Sequence, residues 1–119
     1  MSEIVRVYEK PTCSKCREVL KLLRDRKIQY EEVNFHAEPF TENKLRELIE
    51  KMNVSPHELL RSKEEVYRRL NIAKRALTDD QLITLMLRYP ELIQRPILER
   101  GDRAVLARPL EKAEEFLSS

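Results

Sequence analysis

The chain has 119 residues, 41% of them hydrophobic and 37% charged, which fits one compact domain and excludes a multidomain enzyme. A formal charge of +2 is too balanced for a protein that binds nucleic acid directly through bulk electrostatics. A single glycine, Gly101, excludes glycine-rich phosphate loops and the dinucleotide-binding fingerprint, because both need several backbone positions without a Cβ.

The N-terminal part of the chain predicts a strand, a helix and a second strand. Residues 4–8 are β-branched and aromatic, and Pro11 soon follows them, which predicts a strand that ends in a loop. Apolar residues then recur at helical spacing and predict a helix that runs to about Lys27: Cys16, Val19, Leu20 and Leu23. Residues 28–33 predict the second strand, and the short connection favours a parallel pair.

A helical pattern extends from Phe35 to about Pro90. Its two apolar stripes are Leu45, Leu48, Ile49 and Met52, and Leu82, Leu85, Met86 and Tyr89. In segments 55–58, 62–65 and 78–81, Glu or Gln follows a capping hydroxyl at the spacing of a capping box. These segments predict helix starts, and Pro90 predicts the end of the last helix.

The C-terminal part of the chain predicts a hairpin and a helix. Residues 96–98 and 104–106 flank a turn that contains Gly101, and Pro109 opens the final helix at its first position. The order β-α-β, helical block, β-β-α predicts an α/β, thioredoxin-like fold with a mixed four-stranded sheet. We expect residues 1–119 to form a single domain with a helical insertion at about 36–93, because a block of that size could hardly bury a core alone.

Cysteine usage points to chemistry rather than to a structural disulfide. The start of the chain has no basic and apolar leader pattern, and no apolar window is long enough to span a membrane, so we expect a cytoplasmic protein without a membrane partner. Thiols are kept reduced in the cytoplasm. Cys13 and Cys16 are therefore expected to be reactive or regulatory residues.

Cys13-Ser14-Lys15-Cys16 follows a predicted strand and opens a predicted helix, the usual context of a redox C-x-x-C motif. A thiolate at Cys13 would meet the free N–H groups of the first helical turn, with Lys15 and Arg17 nearby, so we expect a lowered pKa. Cys16 is expected to be either a small core residue or a thiol that resolves an intermediate on Cys13. No metal site is expected, because the two histidines, His36 and His57, show no paired ligand spacing.

Five separated motifs extend along nearly the whole chain. They are Pro11-Thr12-Cys13 with Arg17, Leu59-Leu60-Arg61, Thr78-Asp79-Asp80-Gln81-Leu82, Arg95-Pro96-Ile97 and Arg108-Pro109. Together they resemble the glutaredoxin-like arsenate reductase (ArsC) family, which also includes the Spx-type transcriptional regulators.

The resemblance implies a thiol enzyme that acts on arsenate or a related oxyanion. Cys13 would attack the arsenic, and Arg61, Arg95 and Arg108 would bind the oxyanion. Guanidinium groups suit this role because their N–H forks match the oxygens of a tetrahedral anion. The resemblance also makes Pro96 the cis-proline beside the cysteine and Arg17 a supporting residue.

Two departures from the family pattern leave the reductant open. Glu9-Lys10 stands where a polar pair containing His or Asn is common, and Cys16 is an additional thiol. We expect no tightly bound cofactor. Regeneration would use glutathione as a reducing co-substrate followed by glutaredoxin, or an internal disulfide with Cys16 that thioredoxin or glutaredoxin reduces.

Two other functions remain alternatives to the reductase. A Spx-like regulator would use Cys13 and Cys16 as a disulfide switch and would bind RNA polymerase, which the C-x-x-C motif favours. A general dithiol oxidoreductase would use the same cysteines on other substrates. Arg108 favours the reductase, because it completes the set of arginines that an oxyanion site needs.

Overall fold

A computed structural model describes residues 4–118, which belong to two compact units. The first unit consists of the chain up to Glu38 together with the chain from Arg95 onward, and the second consists of Pro39–Gln94. In chain order the helices and strands are β1 (Val5–Glu9), α1 (Ser14–Asp25), β2 (Tyr30–Asn34), α2 (Glu42–Met52), α3 (Glu65–Arg69), α4 (Asp79–Arg88), β3 (Ile97–Arg100), β4 (Arg103–Leu106) and α5 (Leu110–Ser118). That both units make a single domain stays a prediction.

The first unit contains a mixed sheet of four strands in the order β2-β1-β3-β4. β1 pairs with β2 in parallel, whereas β3 is antiparallel to both β1 and β4. The predicted α/β fold with a mixed four-stranded sheet is confirmed. The hairpin between β3 and β4 also forms as predicted, with Gly101 at a φ of 62°, a left-handed conformation that glycine adopts without steric cost.

One face of the sheet carries the core of the first unit. Val5 and Val7 of β1 and Leu98 of β3 pack there with α1 and α5. The predicted apolar stripe of α1 is buried over its whole length: Cys16, Val19, Leu20 and Leu23. Because side chains alternate along a strand, Glu9 lies on the same face as Val5 and Val7.

Most predicted bounds in the first unit were wrong by one or two residues, β1 among them, which spans Val5–Glu9 rather than residues 4–8. α1 ends at Asp25 rather than near Lys27, because Lys27 has a left-handed φ of 56° that no helix can continue. β2 begins at Tyr30 rather than at residue 28, because the Ile28 N–H donates to the Leu23 carbonyl and closes α1. Pro109 precedes α5 instead of opening it, and its carbonyl accepts from the Lys112 N–H at 2.9 Å.

The second unit contains α2, α3 and α4 with short 3₁₀ turns at Pro56–Leu59, Ile72–Lys74 and Pro90–Leu92. The predicted helical pattern from Phe35 to Pro90 is thus divided among several helices, with loops and 3₁₀ turns between them. Capping boxes form at Ser55 and Thr78, and α4 ends at Arg88, ahead of Pro90, as predicted. No helix within residues 4–118 is both long and apolar enough to cross a membrane.

The predicted capping box at residues 62–65 does not form. α3 begins at Glu65 with Glu64 as its N-cap, and Glu64 makes no side-chain cap bond. Its carboxylate instead accepts a hydrogen bond from Arg61 Nε at 3.0 Å. Because α3 starts only at Glu65, the residue that the pattern placed in its first turn, Ser62 is not its N-cap.

Candidate active site

Cys13 is the N-cap residue of α1, where the sequence places it. Its backbone is extended, with φ −82° and ψ 119°, and its N–H donates to the Lys10 carbonyl at 2.9 Å. The Cys16 N–H donates to Cys13 Sγ at 3.4 Å. The sulfur therefore stands where a capping oxygen usually stands, facing the otherwise unpaired N–H groups of the first helical turn.

The surroundings of Cys13 favour its thiolate. Burial, the largest single influence, raises the pKa of the Cys13 thiol, whereas hydrogen bonds from the Cys16 side chain and N–H lower it. A hydrogen bond from Arg95 and its positive charge also lower the pKa, and together these contributions make the net shift downward. Because the thiolate is the nucleophilic form, Cys13 is the more reactive of the two cysteines.

Arg95 is the cation that acts on Cys13, although Lys15 and Arg17 are far closer in sequence. Lys15 Nζ lies 3.5 Å from the Glu18 carboxylate, which compensates its charge, and the Arg17 side chain is exposed. Arg95 immediately precedes the buried Pro96 and β3, and pairing of β3 with β1 brings it to the cysteine loop.

The Arg95 side chain is buried but lacks partners for much of its guanidinium. The residue is 6% exposed, and its Nε and Nη1 have no hydrogen-bond partner among residues 4–118. Burying donors of a charged group without partners costs free energy, so such donors normally pair with protein groups, water or an ion. An anion placed between Arg95 and the Cys13 sulfur would satisfy them.

Arg108 is tied to Arg95 through the backbone. Arg108 Nη1 donates to the Arg95 carbonyl at 3.3 Å. The Arg95–Pro96 peptide bond is cis, as the resemblance implies, and the Arg108–Pro109 bond is also cis. The first unit therefore brings together four of the predicted site residues: Cys13, Cys16, Arg95 and Arg108.

Arg61, the third predicted anion ligand, belongs to the second unit. Its Nε lies 3.0 Å from Glu64 Oε1, and its N–H donates to the Leu92 carbonyl at 2.7 Å. Its role as an oxyanion ligand stays a prediction.

Cys16 is fully buried, with no exposed surface, and is a free thiol like Cys13. Burial first, and then its hydrogen bond to Cys13, raise the pKa of the Cys16 thiol to about 12. Cys16 is thus both a core residue and a direct neighbour of Cys13. The two roles that the sequence left open for Cys16, a small core residue and a resolving thiol, do not exclude each other.

The chain is similar in sequence and in fold to known proteins. The sequence model of the ArsC family matches residues 8–116. This chain belongs to the ArsC family. The family prediction is confirmed, and the motifs that carried it lie within the matched range.

Several relatives of this ArsC-family chain match nearly all of it. It is 36% identical to the uncharacterized protein YfgD of Escherichia coli K12. The 118 aligned residues cover 98% of this chain and 99% of YfgD. It is also 36% identical over 117 residues to the arsenate reductase of the same strain, covering 98% of this chain and 82% of the reductase. The structure of an arsenate reductase from Vibrio cholerae superposes with a TM-score of 0.90 at 32% identity, covering 97% of this chain and 98% of that one.

Glu9 is a buried ionisable residue at the end of β1, ahead of the cysteine loop, that the ArsC motifs do not include. It is 4% exposed, and burial first, with Glu32 second, raises the pKa of its carboxyl group. A signal for it was present in the sequence, since the alternation of Val5 and Val7 continues to Glu9. Because the predicted strand ended at residue 8, Glu9 was not included in the alternation of buried residues.

The two histidines of this ArsC-family chain have different surroundings. The His36 ring packs against Phe35 with a centroid distance of 4.8 Å, and the exposed His57 places Nδ1 3.8 Å from Asp79. Within residues 4–118, no three or more His, Cys, Asp or Glu side chains are grouped so as to hold a metal ion.

Proposed function

We propose that this protein reduces arsenate to arsenite through thiol chemistry at Cys13, with Arg95 and Arg108 as ligands of the oxyanion. The observation that carries the proposal is the buried Arg95 guanidinium, which has unpartnered donors and lowers the pKa of the neighbouring Cys13 thiol. The names of relatives at 32–36% identity support arsenate as the substrate. Arg61 is proposed as a third ligand on the family motif alone.

The first chemical step is the attack of the Cys13 thiolate on arsenic. A sulfur–arsenic bond forms, an arsenic–oxygen bond breaks, and the departing oxygen takes up a proton and leaves as water. Both reactants are anions, so they repel each other unless nearby cations offset their charge. Arg95 and Arg108 supply that compensation with fixed N–H donors, which also stabilise negative charge in the transition state.

The second step transfers two electrons to arsenic. A thiolate attacks Cys13 Sγ, a disulfide forms, and arsenic leaves with the electron pair of the sulfur–arsenic bond as arsenite. Glutathione would supply the attacking thiolate in one route, and glutaredoxin would then reduce the mixed disulfide. Cys16 would supply it in the other, leaving a Cys13–Cys16 disulfide for thioredoxin or glutaredoxin. No tightly bound cofactor is needed, and a cytoplasmic location suits reduced thiols.

A Spx-like regulator that binds RNA polymerase is the second candidate function. The adjacency of Cys13 and Cys16, both free thiols, favours it, because such a pair can form a disulfide switch. The same pair suits a general dithiol oxidoreductase. Neither of these functions requires the unpartnered guanidinium beside Cys13, so the reductase accounts for more of the site.

An arsenate-reduction assay tests the proposal. Arsenite is measured with the purified protein and either glutathione with glutaredoxin or the thioredoxin system. We expect arsenite to form with at least one of them. No arsenite with either system, together with a complex with RNA polymerase that depends on both cysteines, would support the regulator instead.

Replacing Cys16 by serine separates the two regeneration routes. We expect turnover driven by thioredoxin to fall by at least about tenfold, because no internal disulfide can form, while turnover with glutathione and glutaredoxin persists. Ser14→Ala is the matched control, since Ser14 is exposed between the two cysteines. Equal thioredoxin-driven turnover in both variants would show that Cys16 is not the resolving thiol.

A further inference from the structure

Glu9 places a carboxyl group inside the first unit at the C-terminal end of β1. It lies on the sheet face of Val5 and Val7, where α1 packs, and only 4% of it is exposed. The thiol chemistry proposed above uses no carboxyl group. A buried ionisable group beside a redox site is a candidate for proton transfer.

Cys16 lies at the same end of this core. Only a short loop separates the end of β1 from the start of α1, so the last inward-facing residue of β1 and the first buried residue of α1, Cys16, lie at the same end of this core. The charge of Glu9 contributes to the raised pKa of Cys16, after burial and the influence of Cys13. The two groups are therefore within electrostatic reach of each other.

Among residues 4–118, Glu32 on β2 and Cys16 on α1 interact electrostatically with Glu9. The charge of Glu32 raises the pKa of Glu9, and the charge of Glu9 raises the pKa of Cys16. In the register of β1 with β3, Arg6 lies opposite Glu99, so Arg100 lies at the Val5 end of β1 and away from Glu9. The residues of α5 that are buried in this core, Ala113 and Phe116, are uncharged. With burial raising its pKa, Glu9 is a stronger base than an exposed carboxylate.

Cys16 needs a proton acceptor to act as a nucleophile. A thiol with a pKa of about 12 carries almost no thiolate at neutral pH, and the thiolate is the attacking form. The proton must therefore leave as the new bond forms. A base positioned to receive it lowers the barrier of such a step.

We propose that the Glu9 carboxylate accepts the proton of the Cys16 thiol as Cys16 Sγ attacks Cys13 Sγ. The inference rests on the thiol chemistry of the proposed function. A sulfur–sulfur bond forms, the bond from Cys13 Sγ to its adduct breaks, and the displaced group leaves with that electron pair. When the adduct is arsenic, arsenic(V) becomes arsenic(III) and the two thiols become one disulfide. Glu9 later releases the proton to solvent.

The aromatic disulfide dithiobis(nitrobenzoate) tests this step without arsenate. Cys13 of the reduced protein releases one aromatic thiolate in a first phase, and attack by Cys16 releases a second. We expect Glu9→Gln to slow the second phase by about a hundredfold, the scale of general base catalysis, and to leave the first phase within about twofold. Glutamine removes a buried charge, so the variant should remain folded.

The pH dependence distinguishes proton transfer from a structural effect. In the wild type the second phase should level off once Glu9 is ionised, whereas in Glu9→Gln it should keep rising with pH toward the ionisation of Cys16. Glu9→Asp should recover part of the rate. Glu31→Gln is the charge-matched control, because Glu31 is exposed, pairs with Arg6 and belongs to the opposite face.

Three outcomes would overturn the inference. They are release of only one aromatic thiolate by the wild type, a second phase that is unchanged or faster in Glu9→Gln, and slowing by the same factor at every pH. Because arsenate takes no part, a protein that fails to reduce arsenate can still show the Glu9 effect. Conversely, loss of the Glu9 effect leaves glutathione-driven arsenate reduction intact.

Discussion

Cys13→Ser is expected to lower arsenite formation by about a thousandfold or more, since it removes the nucleophile. The half-buried thiol contributes little packing. Serine is also a good N-cap residue, so its hydroxyl can accept the N–H bond that Cys13 Sγ receives at the start of α1. The loss should therefore be chemical rather than structural.

Arsenite formation with glutathione and glutaredoxin measures the effect of Cys13→Ser, and a thermal melt checks the fold. Cys16→Ser is the matched control in that assay, because it removes the neighbouring thiol while the glutathione route remains. Wild-type turnover by Cys13→Ser would end the reductase proposal in this form.

Arg95→Ala is expected to lower kcat/KM for arsenate by about one to two orders of magnitude. A hydrogen bond to a charged group contributes roughly 1.5–3 kcal/mol, which corresponds to that range. The same change removes a cation that lowers the pKa of the Cys13 thiol. The rate of Cys13 alkylation should then begin to rise only at higher pH than in the wild type.

Arg108→Ala should show a similar loss of kcat/KM, without the same direct effect on the Cys13 thiol. Arg88→Ala is the control, because Arg88 is exposed and its guanidinium lies 5.7 Å from the centre of the Tyr89 ring. Its replacement should be nearly neutral. Equal tolerance of alanine at Arg95, Arg108 and Arg88 would refute the oxyanion site.

Local sequence patterns were sufficient for most elements of the first unit. The alternation in β1, the apolar stripe of α1 and the glycine turn between β3 and β4 each depend on residues close in sequence. The parallel pairing of β1 with β2 follows from the single helix between them. Cys13 was placed at the start of α1 by the same local reasoning.

Element ends and competing side chains were harder to predict. The left-handed conformation of Lys27 ends α1, and a lysine at that position does not predict such a conformation. The capping pattern at residues 62–65 failed because α3 begins only at Glu65, and the Glu64 side chain at its N-cap bonds Arg61 instead of the helix. Such side-chain contacts depend on positions that the spacing of residue types does not specify.

The electrostatics of Cys13 depend on strand pairing rather than on sequence distance. Lys15 and Arg17 are near in the chain, yet Arg95 is the cation that lowers the pKa of the thiol. Only the family motif pointed to Arg95 from the sequence, and its burial with unpartnered donors became visible in the structure. Glu9, by contrast, could have been predicted locally, because it continues the alternation of buried residues in β1, but the predicted strand stopped one residue before it.

If the Cys13 thiolate and the Arg95 guanidinium act on one bound oxyanion, arsenate must protect Cys13 from alkylation. Protection is measured as the rate at which iodoacetamide alkylates Cys13 in the Cys16→Ser protein as the arsenate concentration rises. We expect arsenate to slow alkylation in a saturable manner, and we expect the added Arg95→Ala change to remove this protection. An alkylation rate that arsenate leaves unchanged while Arg95 is present would show that the two groups share no bound oxyanion.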